Sequence, residues 1–287
     1  MAKKTASATI EQVISIEMLE RATVRFYMWG TSPLVMNRMT KKVKEELLLP
    51  ARKLNKAARE AILKHNPPME FRDSIYRCRD EHAPTLVHFP ENAFKKAMAQ
   101  AAIDTPGATK AAIGRLVQVF DPTVHIFGIP YLYMAVVRQA GMQKAPDIRT
   151  RALFPLWGCL LTIQYIRDLI REQDIANLLA NAGMIVGIGD GRTEKGTFNY
   201  GQWELVHEDD KRLRDLMSKG GRKAQLAAME TPQCYDEDSQ ELLNFFHTEI
   251  VRREADHKVK VKAPHIGVMR DRRGRRATAD GKHARVS

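Results

Sequence analysis

The sequence has few cysteines and no long apolar run, and each shortage excludes a class of protein. Cys78, Cys159 and Cys234 are odd in number and far apart in 287 residues, which argues against a disulfide scaffold and favours a reducing compartment. No window approaches the roughly 18 to 20 consecutive apolar residues that a membrane span needs. Residues 1–7 carry charge with no apolar stretch after them, so no signal peptide is visible. We therefore expect a cytoplasmic protein without a membrane partner.

Motifs for catalysis and metal binding are also missing. The sequence has no CxxC pair, no HExxH and no Gly-x-Ser-x-Gly, and Cys78 and His82 lack a second ligand pair. We therefore expect no metal, no cofactor and no catalytic residues, and a protein that is not an enzyme. One catalytic alternative stays open: a metal-independent ribonuclease needs a histidine acid or base, and His82, His88 and His125 are its candidates.

The overall composition is that of an ordinary folded protein. Hydrophobic residues make up 44% and charged residues 28% of the chain, which rules out a coiled-coil rod and a chain that is disordered throughout. The length suits one elaborated domain with a tail.

Positive charge is what the sequence has in excess. The formal net charge is +12, and residues 252–287, with twelve Lys or Arg and four Asp or Glu, contribute +8 of it. Such a segment cannot bury enough apolar surface to offset the entropy lost on ordering. We predict a flexible basic tail over residues 252–287; a merely solvated terminus is the alternative. The tail's densest cations are Arg270, Arg272, Arg273, Arg275 and Arg276.

A second basic segment lies near the N-terminus. Residues 38–64 contain nine Lys or Arg and three Glu, and their apolar residues recur at helical spacing. This pattern predicts an amphipathic helix with a basic outer face, kinked or divided at Pro50.

Segments with strand and helix patterns alternate along the rest of the chain. The predicted strands are 21–29, 74–77, 85–89, 124–127, 131–137, 157–166 and 202–207. The predicted helices are 90–101, 108–119, 174–182, 209–217 and 238–252, while 139–150 reads as an exposed hairpin or loop.

This order predicts an α+β fold with a ferredoxin-like (RRM-like) βαββαβ core that carries helical and hairpin insertions. The predicted organisation is an N-terminal segment (1–20), a core (21–207) with insertions at about 38–89 and 138–156, C-terminal helices (208–251) and the basic tail.

The most distinctive segment is a glycine-rich loop. Residues 187–204 read GIGDGRTEKGTFNYGQWE, with five glycines and the cations Arg192 and Lys195. Amide groups in such a loop can form a concave anion site, and the two cations can neutralise phosphates. The loop is not a Walker A motif, because no Gly-Lys-Ser/Thr is present, and it enters a strand rather than opening a helix as a dinucleotide fingerprint does. An extended turn without a ligand is the alternative.

A glycine-rich loop after the second core helix, with an embedded Arg192 and a following strand, resembles the signature loop of the RAMP superfamily. These are the ferredoxin-like RNA-binding proteins of CRISPR systems. The order of elements is most similar to the backbone subunit that coats guide RNA in effector complexes, and uncharacterised phage and prophage proteins are also similar. The resemblance covers residues 21–207. The loop here is longer than the family's compact form and has a single Arg before Gly196.

The resemblance implies a set of nucleic-acid-binding residues. Arg192 and Lys195 match the charged loop positions, Asn37 and Arg38 follow the first strand where such subunits contact phosphates, and the hairpin returns to the core at 149–151. Phe198, in a polar loop, is the aromatic residue most expected to be exposed, with Tyr131, Tyr133 and Tyr200 as further stacking candidates. The predicted set is Asn37, Arg38, Arg149, Arg151, Gly189, Gly191, Arg192, Lys195, Gly196 and Phe198.

These observations predict a non-catalytic protein that binds single-stranded RNA or single-stranded DNA and self-associates along the strand into a helical oligomer or filament. Two alternatives stay open. One is a RAMP-type endoribonuclease, and the other is a phage structural or scaffolding protein whose basic tail docks on an acidic partner.

Overall fold

The structure, a computed structural model, describes residues 16–48, 65–138, 146–195 and 198–255. Gly196 and residues 256–287 of the predicted basic tail lie outside these ranges, whereas residues 252–255, which the sequence assigned to the tail, belong to the last helix. No helix within them is long and apolar enough to cross a membrane. In chain order the described residues form β1 (Arg21–Gly30), β2 (Leu34–Val35), α1 (Lys41–Leu48), α2 (Pro67–Asp73), β3 (His88–Pro90), α3 (Glu91–Ala101), α4 (Lys110–Leu116), β4 (Val117–Val119), β5 (Thr123–Phe127), β6 (Tyr131–Arg138), β7 (Pro146–Phe154), β8 (Gly158–Ile166), α5 (Glu172–Ile185), β9 (Trp203–Val206), α6 (Lys211–Lys219), α7 (Arg222–Glu230) and α8 (Glu237–Ala255).

The strands of the main sheet are antiparallel and the fold also contains helices, so the predicted α+β class is confirmed. Its strand order is β3-β5-β8-β1-β9, and β4 pairs with the far end of β8. The central pair, β1 and β8, runs in register from Arg21 opposite Ile166 to Trp29 opposite Gly158. Side chains alternate between the two faces of these strands because successive Cβ atoms of a strand point to opposite sides.

Helices α3 and α5 cover one face of this sheet and form the core with it. The inward residues of β8 are fully buried, and they belong to the same apolar cluster as Phe94 and Met98 of α3 and Ile175 and Leu179 of α5. Burial of this apolar surface supplies the main stabilisation of the fold. The helix patterns predicted this covering, although α5 is longer than the predicted 174–182.

The opposite face of the main sheet is covered only in part. Helix α6 lies over one end of it, where Leu213 packs on Gly158 and the Arg212 guanidinium sits 5.2 Å from the centre of the Trp29 ring. Further along β1, Arg21 and Arg25 are exposed. Among the described residues, no helix covers this part of the face.

A second antiparallel sheet has the order β2-β7-β6. Strands β6 and β7 pair from Tyr131 opposite Leu153 to Arg138 opposite Pro146. Of the hairpin or loop predicted over 139–150, residues 146–150 form the return strand of a β6–β7 hairpin and make ladder bonds with β6 despite their polar sequence. Residues 139–145 lie outside the described residues.

Other predicted boundaries also shift. The helix predicted for 108–119 ends at Leu116, because the last residues, Val117–Val119, pair with β8 and bury alternate side chains. The strand predicted for 74–77 is a turn after α2 that reaches its neighbour only through a bridge from Arg77 to Val87. The basic helix predicted for 38–64 is present as α1, and residues 49–64 lie outside the described residues.

Helix α7 was not predicted, and one buried amide explains its place. Gln225 has no exposed surface; its Oε1 accepts from the backbone N–H groups of Leu86 and Val87. Its Nε2 donates its two protons among three carbonyl oxygens within hydrogen-bond distance, including that of Ile126 at 2.8 Å. A buried amide whose hydrogen bonds are all made adds stability and fixes one arrangement of the elements around it.

We predict that Gly183→Ala destabilises the protein. A Cβ at this position of α5 would collide with the carbonyl oxygen of Trp203 and lie 2.9 Å from its ring, where α5 meets β9. Overpacking of this kind costs roughly 1–3 kcal/mol of unfolding free energy. Chemical denaturation followed by circular dichroism measures it.

The matched control is Gly114→Ala in α4, where an added Cβ meets nothing within 4 Å. Replacing a helical glycine in open space should raise the unfolding free energy by about 0.5–1 kcal/mol. Equal effects of the two substitutions would contradict the close packing of α5 on β9.

Candidate functional site

The glycine-rich loop joins α5 to β9 and is held in place by hydrogen bonds from its own backbone. Gly189 has a φ of 88°, and an added Cβ there would collide with the carbonyl oxygen of Val35. The Asp190 N–H donates to that carbonyl at 2.9 Å, and the Gly201 N–H donates to Pro33 at 2.8 Å. The loop therefore needs glycine in order to dock on the segment between β1 and β2.

The same bonds limit what the loop amides can do for a ligand. The amides of the loop that donate within the fold are those of Gly187, Ile188, Asp190, Gly191, Glu194, Lys195, Tyr200, Gly201 and Gln202. The sequence predicted that loop amides bind an anion, but these nine are already paired. Ligand contacts at the loop therefore fall mainly to side chains.

Residues from three distant segments meet beside the loop. The Nε of Arg151 on β7 is 3.7 Å from a carboxylate oxygen of Asp190, and its Nη1 donates to the carbonyl of Arg38. Arg38 in turn donates to the carbonyl of Asp73 at 2.9 Å. The Tyr76 hydroxyl donates to Asn37 at 3.1 Å. The structure thus brings Asn37, Arg38 and Arg151, three residues of the predicted set, together beside the loop.

Burial lowers the pKa of Arg151, and the nearby Asp190 carboxylate opposes that shift. Asp190 therefore compensates a partly buried positive charge. A phosphate group bound here would place further negative charge beside the Arg151 guanidinium.

The loop cations share one carboxylate. Glu194 accepts from the Nε of Arg192 at 2.8 Å and is also 2.8 Å from its Nη2, while the Nζ of Lys195 is 3.8 Å away. Two positive charges face one negative charge, so this part of the loop carries one net positive charge. A ligand phosphate would compete with Glu194 for Arg192.

A cleft of about 480 Å³ lies between this part of the loop and helices α3 and α4. Lys96 and Lys110, which sequence reasoning missed, add two cations to it. Lys96 could have been found, because it shares a polar stripe of α3 with Asn92 and Gln100 at i, i+4 spacing. The polar residues that line the cleft are Asn37, Asn92, Lys96, Gln100, Lys110, Arg192 and Glu194.

A group of aromatic rings lies near the C-terminal end of the loop. Phe198 and Tyr200 are stacked, with ring centres 5.3 Å apart and planes 7° from parallel, and Tyr133 makes edge contacts with Tyr200 and Tyr235. We call Tyr133, Phe198, Tyr200 and Tyr235 the aromatic patch. Burial and a hydrogen bond with Tyr200 raise the pKa of Tyr133. Phe198 is 43% exposed, which confirms the sequence prediction.

The aromatic patch borders basic residues of the second sheet. Tyr133 lies opposite Arg151 in the β6–β7 register, and Ala135 lies opposite Arg149. Cross-strand partners and residues two apart share a face, so Arg149 and Arg151 lie on the face that carries Tyr133. Arg149 is exposed.

The histidine candidates lie elsewhere. His82 is exposed in a turn, while His88 and His125 are register partners on β3 and β5. Burial lowers the pKa of both His88 and His125. Among the described residues, no three His, Cys, Asp or Glu side chains are grouped to hold a metal ion.

No known protein-family profile matches the sequence, and no curated protein matches it. Solved structures give a distant likeness. The crystal structure of Cmr6 from Pyrococcus furiosus is similar over 65% of this chain and 98% of that chain, at 11% identity and a TM-score of 0.34. A chain of the type III-B Cmr-beta complex bound to cognate target RNA is similar over 65% of this chain and 59% of that chain, at 13% identity and a TM-score of 0.33. Likeness at this level assigns neither a family nor a ligand.

We predict that Gly189→Ala distorts the loop and destabilises the protein. The left-handed backbone costs roughly 1–2 kcal/mol for a residue with a Cβ, and the collision with Val35 adds about 1–3 kcal/mol. The unfolding free energy from chemical denaturation measures the sum.

Gly107→Ala is the matched control, since Gly107 has a φ of 84° but an added Cβ there meets nothing within 4 Å. Gly107→Ala should lower the unfolding free energy only by the cost of a left-handed backbone, roughly 1–2 kcal/mol. If both substitutions cost the same, the loop does not dock closely on Val35.

Proposed function

We propose that this protein binds single-stranded nucleic acid along the glycine-rich loop without cleaving it. The observation that carries the proposal is the Phe198–Tyr200 stack, in which Phe198 is exposed, beside the face of β6 and β7 that carries the exposed Arg149 and the partly buried Arg151. Proteins that bind single strands combine cations that follow the backbone with rings on which bases stack. This surface has both.

The cleft on the other side of the loop extends the basic surface. Lys96, Lys110 and Arg192 line it, and the loop that supplies Arg192 also supplies Phe198. Phosphates of a strand would lie on the cleft cations and on Arg149 and Arg151, while its bases would stack on Phe198. A duplex hides the faces of its bases, so a single strand suits the exposed ring better.

We also propose that the core is a ferredoxin-like βαββαβ unit of the RAMP type. Two observations support it. Helix α3 lies in the chain between β1 and β5, and α5 lies between β8 and β9, while the antiparallel spatial order is β5-β8-β1-β9. This is the connection of a split βαβ fold. The glycine-rich loop stands where the resemblance expects it, between the second core helix and the last strand.

The remaining parts of the hypothesis stay predictions. The basic tail, of which residues 256–287 lie outside the described residues, would add non-specific affinity that falls with salt. Self-association along the strand would appear as several copies bound to each long oligonucleotide. The choice between RNA and DNA depends on contacts to the 2′-hydroxyl.

We predict that Arg192→Gln weakens binding of a labelled single strand about 5- to 10-fold, because a charge-assisted contact to phosphate is lost. The slope of log affinity against log salt should fall by about 0.7, the value for one phosphate contact on a single strand. Glu194→Gln should act in the opposite direction, since it releases Arg192 from its carboxylate. Fluorescence anisotropy with single-stranded RNA, single-stranded DNA and duplex, at about 50 mM and about 200 mM salt, measures these changes.

Arg167→Gln is the matched control, because Arg167 is an exposed cation paired with Glu20 at the far end of β1. Truncation after His257 should weaken the binding of all three ligands alike. A loop variant that binds as the parent protein does, or equal affinity for duplex, would mean that the tail alone binds and that the loop is structural. Cleavage of the labelled RNA without added metal would favour the ribonuclease alternative.

We predict that Phe198→Ala weakens single-strand binding by about 1–3 kcal/mol, the usual value of one stacked base. Binding of duplex should change little, since its base faces are covered. The same anisotropy titration measures both.

Phe245→Ala is the matched control, because Phe245 on α8 is 69% exposed and is not part of the aromatic patch. If the two phenylalanine variants lose affinity equally, the aromatic patch is not a stacking surface.

A further inference from the structure

A second cleft lies on the open face of the main sheet. It has a volume of about 430 Å³ and is formed where β5, β8 and β1 lie side by side, with α6 at one wall. Phe127, Leu160 and Met217 supply apolar surface to it. The sheet separates this cleft from α3, α5 and the glycine-rich loop. The binding surface proposed above therefore does not include it.

The hydrogen bonds of His125 fix which ring nitrogen carries its proton. The Thr85 hydroxyl is 2.7 Å from the carbonyl of Val87, to which it donates its only proton. The same hydroxyl oxygen is 3.0 Å from Nδ1 of His125, so it must accept there and Nδ1 must be the donor. Neutral His125 therefore carries its proton on Nδ1, and its Nε2 is an acceptor.

The position of His125 turns that acceptor toward the cleft. His125 lines the cleft and alternates along β5 with buried Val124 and Ile126, which face the helices. Thr85 holds the Nδ1 edge of the ring, which leaves the Nε2 edge on the cleft side. Burial lowers the pKa of His125, so the neutral form prevails at pH 7.

Two further polar groups in the cleft are unpaired. The side chains of Arg25 and Asp121 line it, and neither side chain makes a hydrogen bond or an ion pair with a described residue. The Asp121 carboxylate acts on His125 electrostatically and opposes the lowering of its pKa. The cleft thus presents two acceptors, the Asp121 carboxylate and Nε2 of His125, and the N–H donors of the Arg25 guanidinium, between apolar walls. Small-molecule sites have this composition.

Among flat heteroaromatic ligands, a nucleobase fits this pattern and guanine fits it best. Guanine presents two adjacent N–H donors, N1 and N2, to which a carboxylate is complementary. Its O6 and N7 are the acceptors that arginine contacts as a bidentate donor. Adenine and cytosine each present one amino donor beside a ring acceptor, and uracil places one N–H between two carbonyls, so none of them offers two donors to two acceptors.

We propose that the open-face cleft binds a guanine base, with Asp121 and His125 accepting from it and Arg25 donating to it. The base can come from a free nucleotide or from a strand. Its binding does not depend on the glycine-rich loop, so each proposal can fail alone.

Titration of the full chain with GMP, AMP, CMP and UMP, followed by protein NMR shifts, tests the proposal. We expect GMP to bind at least 10-fold tighter than the other three. Arg25→Gln should reduce GMP affinity by about 5- to 150-fold, the range for one bidentate base contact. Asp121→Asn should lower GMP affinity without lowering that of AMP, because its amide would face the N–H groups of guanine. Arg21→Gln is the matched control, since Arg21 lies on the same strand and face and contacts Gln164 instead.

A second readout does not depend on affinity. Long-range ¹⁵N–¹H spectra should show His125 protonated at Nδ1 and unprotonated at Nε2, and Thr85→Val should remove that preference while a melting curve checks the fold. As the pH falls through the pKa of His125, Nε2 becomes a donor and GMP affinity should fall. The other charged groups that act on His125 are Asp80, Asp121 and Arg222, and His88 is its register partner.

The outcomes separate the two proposals. GMP binding that Arg25→Gln weakens and Arg192→Gln leaves unchanged supports this site, whatever the glycine-rich loop does. Equal binding of all four nucleotides, no binding of GMP, or indifference to both Arg25→Gln and Asp121→Asn overturns it. A guanine-containing strand that binds no tighter than a guanine-free one, while GMP still binds, restricts the site to the free nucleotide.

Discussion

The docking of the glycine-rich loop on residues 33–35 is the contact on which the candidate site depends. Gly201 donates to Pro33 just before β9 begins, and Asp190 donates to Val35, which pairs with Leu153 in the second sheet. These bonds bring two backbone segments so close together that a Cβ atom would collide between them, so one of the segments needs glycine. They tie the main sheet to the second sheet. As a result, cations that come from α3, β7 and the loop stand in fixed positions beside one another.

That fixed arrangement also sets the electrostatics of the site. Arg151 faces Asp190 and Arg192 faces Glu194, while Arg38 is held by a carbonyl. Paired cations are well ordered but only weakly attract a distant anion, since much of their charge is already compensated. A ligand therefore gains most where it replaces a carboxylate on a cation that is already oriented. Long-range attraction falls instead to less compensated charge, and residues 254–287 contain ten Lys or Arg against four Asp or Glu.

The parts of the fold that the sequence predicts are those with strong local patterns. The alternation of β1 and the apolar run of β8 identify the central strand pair, and the glycine spacing identifies the loop. The strand at 146–150 escaped prediction because its residues are polar and it exists only through pairing with β6. The same is true of Val117–Val119, whose pattern continues a helix until β8 pairs with it. In the site, Arg151 and Phe198 were predicted from their places in the chain. The polar stripe of α3 marks Lys96 in the sequence, but Lys110 carries no such pattern, and only tertiary packing brings α3 and α4 against the loop.

One strand contributes side chains to both faces of the main sheet, and this explains how the two proposed sites can share one sheet. Along β1, Val24 and Phe26 pack into the helix-covered core, while Arg25 between them points to the open face. The open face remains accessible there because α6 docks further along, where Gly158 admits Leu213 without a competing side chain. Met217, one turn on, then forms a wall of the open-face cleft. The contact between Gly158 and Leu213 therefore positions that wall, whereas the loop on the opposite face depends on Gly189 and Gly201. The two sites are built on one sheet but are held by different close contacts, so damage to one need not reach the other.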